Sequence, residues 1–153
     1  MSPGRLALAE AVRQLGVREE PPGSNRQPFG VWFGSDGKAW CAMFASWCFH
    51  TAGIELCEGH AGAGVRKGKG CAWVPTIAWW LQQRGWWLPP TTTPEPGDLV
   101  LYDWDGGAAD HIGIVESAPK PGRIVAIEGN VFSRVARMTR DTSHVAGYGR
   151  IGA

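Results

Sequence analysis

Trp40-Cys41-Ala42-Met43-Phe44-Ala45-Ser46-Trp47-Cys48-Phe49-His50-Thr51-Ala52-Gly53 is the stretch whose reading decides the fold. It holds no acidic residue, lysine or arginine and is apolar almost all round, so as a helix it has no face to give to water and must lie inside a larger body. Gly53 supplies its stop. Yet a cysteine, Cys41, sits in its first turn. Just upstream, Gly34-Ser35-Asp36-Gly37-Lys38 is turn-rich, with Ser35 and Asp36 as candidate caps. A thiol at a helix N-terminus meets the positive end of the helix dipole, which lowers its pKa and favours the reactive thiolate. The stretch reads as a buried helix with a nucleophile at its tip, and the rest of the chain has to supply a base.

On the N-terminal side, Ser2-Pro3 followed by Leu6, Leu8, Ala9, Val12 and Leu15 gives a cap, a proline at the first helical position and helical spacing, closed by Gly16. Glu19 to Arg26 cannot form a regular element, and Pro28 to Gly37 is expected to continue as a long loop forming one wall of the site. On the C-terminal side, Glu55 to Gly70 is rich in glycine and without periodicity, which predicts a mobile flap. Thr76 to Gly85 predicts a short helix with Pro75 near its start. Pro89 to Gly97 is a Pro/Thr connector. Beyond it the hydrophobic period changes from 3.6 to 2. Asp98–Asp103, His111–Glu116, Arg123–Glu128, Val135–Met138 and Val145–Ile151 each read as a strand, separated by turn residues. Helices first and short consecutive strands second is the α+β pattern, with an antiparallel sheet.

The 153 residues suit one domain spanning 1–153. A formal net charge of +1 with no Lys/Arg run gives no electrostatic case for nucleic acid. No apolar run approaches 18 residues, so no membrane span is expected. Met1 to Arg13 lacks the apolar core and cleavage site of a signal peptide, so synthesis in the cytosol without an export signal is expected. The four cysteines, at 41, 48, 57 and 71, match no zinc spacing. If Cys41 is reactive the remaining three argue against a disulfide framework. Nine tryptophans serve either an aromatic core or an indole-lined groove for a glycan or peptide. Trp40, beside Cys41, and Trp104, ahead of His111, are the candidate substrate contacts.

Of four histidines, His50 lies more than two turns from Cys41 on the apolar helix and is expected in the core or near that helix's cap. His60 falls in the glycine-rich segment and His144 in a turn. His111 instead opens a strand anchored by Ile112, Ile114 and Val115, where an imidazole can face another element. The next strand ends Ile127-Glu128-Gly129-Asn130. A carboxylate closing an apolar strand is costly to bury without a partner, and His111 on the neighbouring strand would be one. Glu128 would then fix the ring's tautomer and leave its other nitrogen for Cys41. Asn130, two residues on, shares that face of a regular strand and is a candidate second orienter or polar contact near the site.

These residues resemble the CHAP domain, the cysteine, histidine-dependent amidohydrolase/peptidase module of peptidoglycan hydrolases. The resemblance rests on Trp40-Cys41-Ala42-Met43-Phe44, Pro96-Gly97-Asp98-Leu99-Val100, His111-Ile112-Gly113-Ile114-Val115 and Ile127-Glu128-Gly129-Asn130. It implies a papain-like fold of the NlpC/CHAP type and cleavage of an amide in cell-wall peptidoglycan, as in phage endolysins. It further implies Cys41 as nucleophile, His111 as base, Glu128 as orienter and Asn130 as accessory residue. No cofactor is expected and a monomer is, acting on the wall after release. Some family members bind calcium ahead of the cysteine, where this chain has only Asp36. Asp103 and Asp105 stand at the first and third positions of a calcium-like loop whose fifth is Gly107 and which no Glu closes, so a plain turn is the expectation there and metal the weaker alternative. Either an amidase or an endopeptidase fits the same residues, and a clan-related amidase or acyltransferase on another substrate, or an antibacterial effector, remains the alternative.

Overall fold

The computed structural model describes residues 1–153. Its first helix, α1 (Pro3–Arg13), begins at Ser2, whose hydroxyl accepts from Arg5 N–H at 3.3 Å, and it buries Ala7 and Ala11, one turn apart, toward the centre of the molecule. Helix α2 (Pro28–Phe33) stands where a loop is expected. Gln27 caps it, its side-chain oxygen accepting from Gly30 N–H at 2.9 Å, and Gly34 ends it at φ +95°. The reason is packing: Phe29 wedges its ring among Trp40, Phe44 and Trp47, with centroids 5.8, 5.0 and 5.5 Å away. Asp36 does not cap the central helix; it accepts from Gln27 N–H and so folds the loop back on itself.

The central helix α3 (Cys41–Thr51) is buried at eight of its eleven residues. Behind it, β1 (Val65–Arg66) and β2 (Gly70–Cys71) make a small hairpin inside the segment expected to be a mobile flap. That segment is tied down. Leu56, Cys57 and Cys71 are buried, and the Ser46 hydroxyl of α3 both donates to Cys71 C=O and accepts from Cys71 N–H. Helix α4 (Val74–Gln83) follows, with Pro75 in its first turn.

The remaining strands are β3 (Trp87–Leu88), β4 (Leu99–Tyr102), β5 (His111–Lys120), β6 (Arg123–Val131), β7 (Arg134–Asp141) and β8 (Val145–Gly149). They form one antiparallel sheet in the order β3-β8-β4-β5-β6-β7. Helices on one face of an antiparallel sheet make this an α+β fold. Strand alternation sorts the core. Leu99, Leu101, Ile112, Ile114 and Ile127 face α3 with Phe44 and Phe49. Val100, Tyr102, Val115, Ile124, Ala126 and Tyr148 form a smaller cluster on the other face. Each fully buried Leu, Ile or Phe among them contributes roughly 1.5–3 kcal/mol.

Two sequence motifs acquire structural reasons here. Asp98 of Pro96-Gly97-Asp98 is buried and takes a two-bond fork from Arg150, at 3.0 and 2.8 Å, fastening the chain after β8 to the start of β4. Gly129 lets β6 approach the tip of α3: a Cβ there would stand 2.7 Å from Phe44 Cβ and 2.9 Å from Trp40. The sheet therefore reaches the N-terminus of α3 at the strand end that carries Glu128.

Candidate active site

Cys41 opens α3 behind Trp40, whose backbone forms the N-cap but whose side chain makes no capping hydrogen bond. The first N–H groups of a helix have no partner within it, so those at the tip of α3 are left without a side-chain oxygen. Trp40 is aimed the other way. It is fully buried, and its indole N–H donates to Glu19 Oε2 at 2.9 Å. This corrects the expectation that Trp40 contacts substrate. An apolar ring stacked on Phe29, with its one polar atom satisfied by a buried carboxylate, is a strut that fixes how the chain enters α3. Glu19 was not singled out from the sequence. Burial works against its charge, but the bonds from Trp40 and from Asn25 N–H hold its pKa below the ordinary value.

Cys41 is 9% exposed, whereas Cys48, Cys57 and Cys71 are wholly buried. All four are free thiols. Burial pushes the Cys48 thiol far up, in keeping with a packing residue. Cys41 lies in a cleft of about 300 Å³ between residues 72–75 on one side and 105–110 on the other. Those segments, and not the 28–37 stretch, form the walls, because α2 is spent on packing against α3. A larger cavity of about 670 Å³ lies between residues 90–94 and 118–124, and none of Cys41, His111 and Glu128 lines it.

His111, first residue of β5, has Cys41 on one side, close enough for the thiol to act on the ring's pKa. On the other its Nε2 donates to Glu128 Oε1 at 2.8 Å, which leaves Nδ1 for the thiol. Burial disfavours the charged ring, but the neighbouring Cys41 and the bonded Glu128 outweigh it and raise the His111 pKa to about 9. Gly113 makes room for this arrangement: a Cβ there would lie 2.6 Å from Glu128 Cγ. Glu128 is 0% exposed, so its two oxygens need more donors than one imidazole. Tyr102 O–H donates to Oε2 at 2.8 Å, and Arg140 reaches both oxygens, Nε at 2.9 Å from Oε2 and Nη2 at 2.6 Å from Oε1. Burial alone would raise the Glu128 pKa; the bonds from His111 and Arg140 bring it below the ordinary value.

Asn130 has φ +62° and falls in the register slip between Glu128 and Val131. Strand alternation therefore does not carry from Glu128 to Asn130, which is half-buried and forms no side-chain hydrogen bond to the other three residues. Trp104 stands at the site. It is 41% exposed, stacked on Tyr102 at 4.8 Å and 10°, with ring centroids 6.2 Å from His111 and 5.5 Å from His144. His50 is on the surface against Trp32, not in the core, and His60 packs edge-on to Trp79.

Asp103, Asp105 and Asp110 bring carboxylate oxygens within 4.8 Å of one another. One oxygen of Asp103 already accepts from the N–H groups of Asp105, Gly106 and Gly107, and one of Asp105 accepts from Gly107. Calcium takes six to eight oxygens. Asp103, half-buried, with the exposed Asp105 and Asp110, supplies fewer oxygens than that requirement, and those of Asp103 and Asp105 are partly engaged by their own loop.

A family model for the CHAP domain matches residues 33–130, which span all the candidate site residues. No curated protein matches the chain. Among solved structures, the crystal structure of Ly7917 is similar at 18% identity and a TM-score of 0.53, and that of Ly7917 with the hydrolyzing product of MDP at 21% and 0.55. Each comparison covers 95% of this chain, which spans 61% of the length of those chains. At these identities the likeness speaks for the fold.

Proposed function

The chain belongs to the CHAP domain family, and from that premise we propose that it is a peptidoglycan hydrolase that cleaves an amide bond through Cys41, His111 and Glu128. The observation that carries the reading is His111 placed between Cys41, at the floor of a solvent-open cleft, and the buried Glu128 carboxylate that it hydrogen-bonds at 2.8 Å. A nucleophile, a base within reach of it and a third group orienting the base are the parts that acyl transfer requires.

In this scheme the Cys41 thiolate attacks the amide carbonyl carbon and the carbonyl oxygen becomes an oxyanion. Backbone N–H groups at the uncapped tip of α3 face that charge, favoured further by the helix dipole. His111, protonated, gives its Nδ1 proton to the departing nitrogen as the C–N bond breaks, leaving a thioester on Cys41. Neutral His111 then takes a proton from water, which attacks the thioester and releases the acid. Throughout, Glu128 keeps Nε2 protonated and the ring in place. Trp104, exposed and next to His111, gives the substrate an aromatic face. Asn130, two residues beyond Glu128, is the accessory polar residue in this scheme.

The test is digestion of purified peptidoglycan by the wild-type protein, with products read by mass spectrometry. A new L-alanine N-terminus identifies an amidase and a new N-terminus within the peptides an endopeptidase. No soluble product from any wall type would overturn the reading.

A further inference from the structure

The buried carboxylate that orients His111 is held by a residue that neither touches the cleft wall nor stands near Cys41 in sequence. Arg140 lies on β7 opposite Ile124, and Glu128 lies on β6 opposite Ala136, so both side chains leave the same face of the sheet four residues apart. The guanidinium spans that gap and takes both carboxylate oxygens, Oε1 at 2.6 Å and Oε2 at 2.9 Å, while its carbon sits 5.2 Å from the Tyr102 ring centre and 5.0 Å from that of Trp104.

We propose that Arg140 is a positioning residue for the His111–Glu128 pair, its fork fixing the plane of the carboxylate so that Oε1 faces His111 Nε2. This rests on the reading of Cys41 and His111 as the reacting pair. A carboxylate bonded by one imidazole can rotate about its Cγ–Cδ bond. One gripped at both oxygens by a planar fork, with Tyr102 also on Oε2, cannot. A lysine would bring the charge without the two-point grip. The same guanidinium underlies Trp104, so the group that sets the His111 orienter also supports the exposed indole beside it. Removing Arg140 also leaves the buried Glu128 charge without its main partner, a loss of stability that has to be separated from any loss of positioning.

The test is a double-variant cycle of Arg140→Met and Glu128→Gln, with turnover and Cys41 alkylation by iodoacetamide both measured. Residues acting through one another give non-additive losses. Arg140→Met alone is expected to lower kcat by about 10- to 100-fold, part of the 10²–10⁴ that placed acid–base catalysis supplies. In the Glu128→Gln background it should cost less than about threefold more, because the group it positions is no longer a carboxylate. Arg140→Lys, which keeps the charge and protects folding, should regain thermal stability but not kcat. If Arg140→Met does not fold, Arg140→Lys takes its place in the cycle. Losses that multiply, a full rate in Arg140→Met, or a full rate in Arg140→Lys would each overturn the proposal. The alkylation arm needs no substrate. A wild-type protein inert on peptidoglycan that still shows the non-additivity in alkylation would sink the hydrolase reading and leave this inference standing.

Discussion

Gly113 and Glu128 face each other across adjacent strands so closely that a Cβ on Gly113 would lie 2.6 Å from the glutamate Cγ and 3.3 Å from its carboxyl carbon. The His-x-Gly motif thus carries its reason in its third residue. The glycine creates the space in which the carboxylate reaches back to the histidine two positions earlier.

Gly113→Ala therefore pushes Glu128 away from His111. The neighbour struck is the stem of a buried side chain gripped by three donors, which has nowhere to retreat. We expect a loss of kcat of tenfold or more, together with an overpacking cost of about 1–3 kcal/mol. Steady-state kinetics and thermal melts check both. Wild-type kcat in Gly113→Ala would mean that the contact between His111 and Glu128 is dispensable.

The raised pKa of His111 gives a pH signature. The ring titrates near 6.5 unfolded and at about 9 folded, so the folded state favours the proton. The stabilisation is fully present below pH 6.5 and is lost as pH rises through 9, to a ceiling of about 3 kcal/mol. Glu128 has the opposite sign, its pKa being lowered, so its contribution is lost as pH falls through the carboxylate range. Wild type should exceed His111→Ala in denaturant stability at pH 6 and lose that margin by pH 10. Turnover should decline on the alkaline side near pH 9 as the imidazolium disappears. A margin unchanged between pH 6 and 10 would contradict the assigned hydrogen bonds.

The cysteines should divide one against three. Iodoacetamide applied to the folded protein is expected to label Cys41, because the other three thiols are wholly buried and Cys48 is driven far toward its neutral form. Peptide mapping reads the site directly. Cys41→Ser should abolish lysis with an unchanged melt, whereas Cys48→Ala should shift the melt and spare kcat. Lysis retained in Cys41→Ser would remove the thiol from the mechanism.

How much of this was legible in the sequence depends on the range of the interactions. The strands from β4 to β8 announced themselves by alternation, and the buried character of α3 by its lack of charge, because both are local patterns. Helix α2 was hidden: at six residues it is too short for a period to show, and its existence depends on Phe29 finding three aromatic rings contributed by α3 and Trp40. The one wall expected from Pro28 to Gly37 is absent for the same reason. Cys41, His111 and Glu128 could be named because motif and strand position coincide. Arg140 could not be chosen from Arg134, Arg137 and Arg140 without the register of β6 against β7. A hint was available, since a carboxylate buried in an apolar strand needs several donors. Asn130 shows the limit of alternation, because one residue at φ +62° ends the rule that placed it.

Trp40 and Trp104 provide the last discriminating pair, since both were candidate substrate contacts and the structure separates them. Trp40 is fully buried against Phe29 and Gly129, with Glu19 as its hydrogen-bond acceptor. Trp40→Ala should cost about 3–5 kcal/mol as a large-to-small core change. Trp40→Phe keeps most of the volume but strands the buried Glu19 carboxylate without that donor, for about 1–3 kcal/mol. In Trp40→Phe the loss should fall on stability, and substrate KM should stay near wild type. Trp104 stacks on Tyr102, is 41% exposed and lies outside the buried core. Trp104→Ala should melt within a few degrees of wild type and raise KM severalfold, the cost of losing an aromatic surface worth about 1 kcal/mol or more. Measuring Tm and KM for both variants sorts strut from platform. A KM effect in Trp40→Phe with no change in Tm, or a collapse of Tm with unchanged KM in Trp104→Ala, would reverse the assignment.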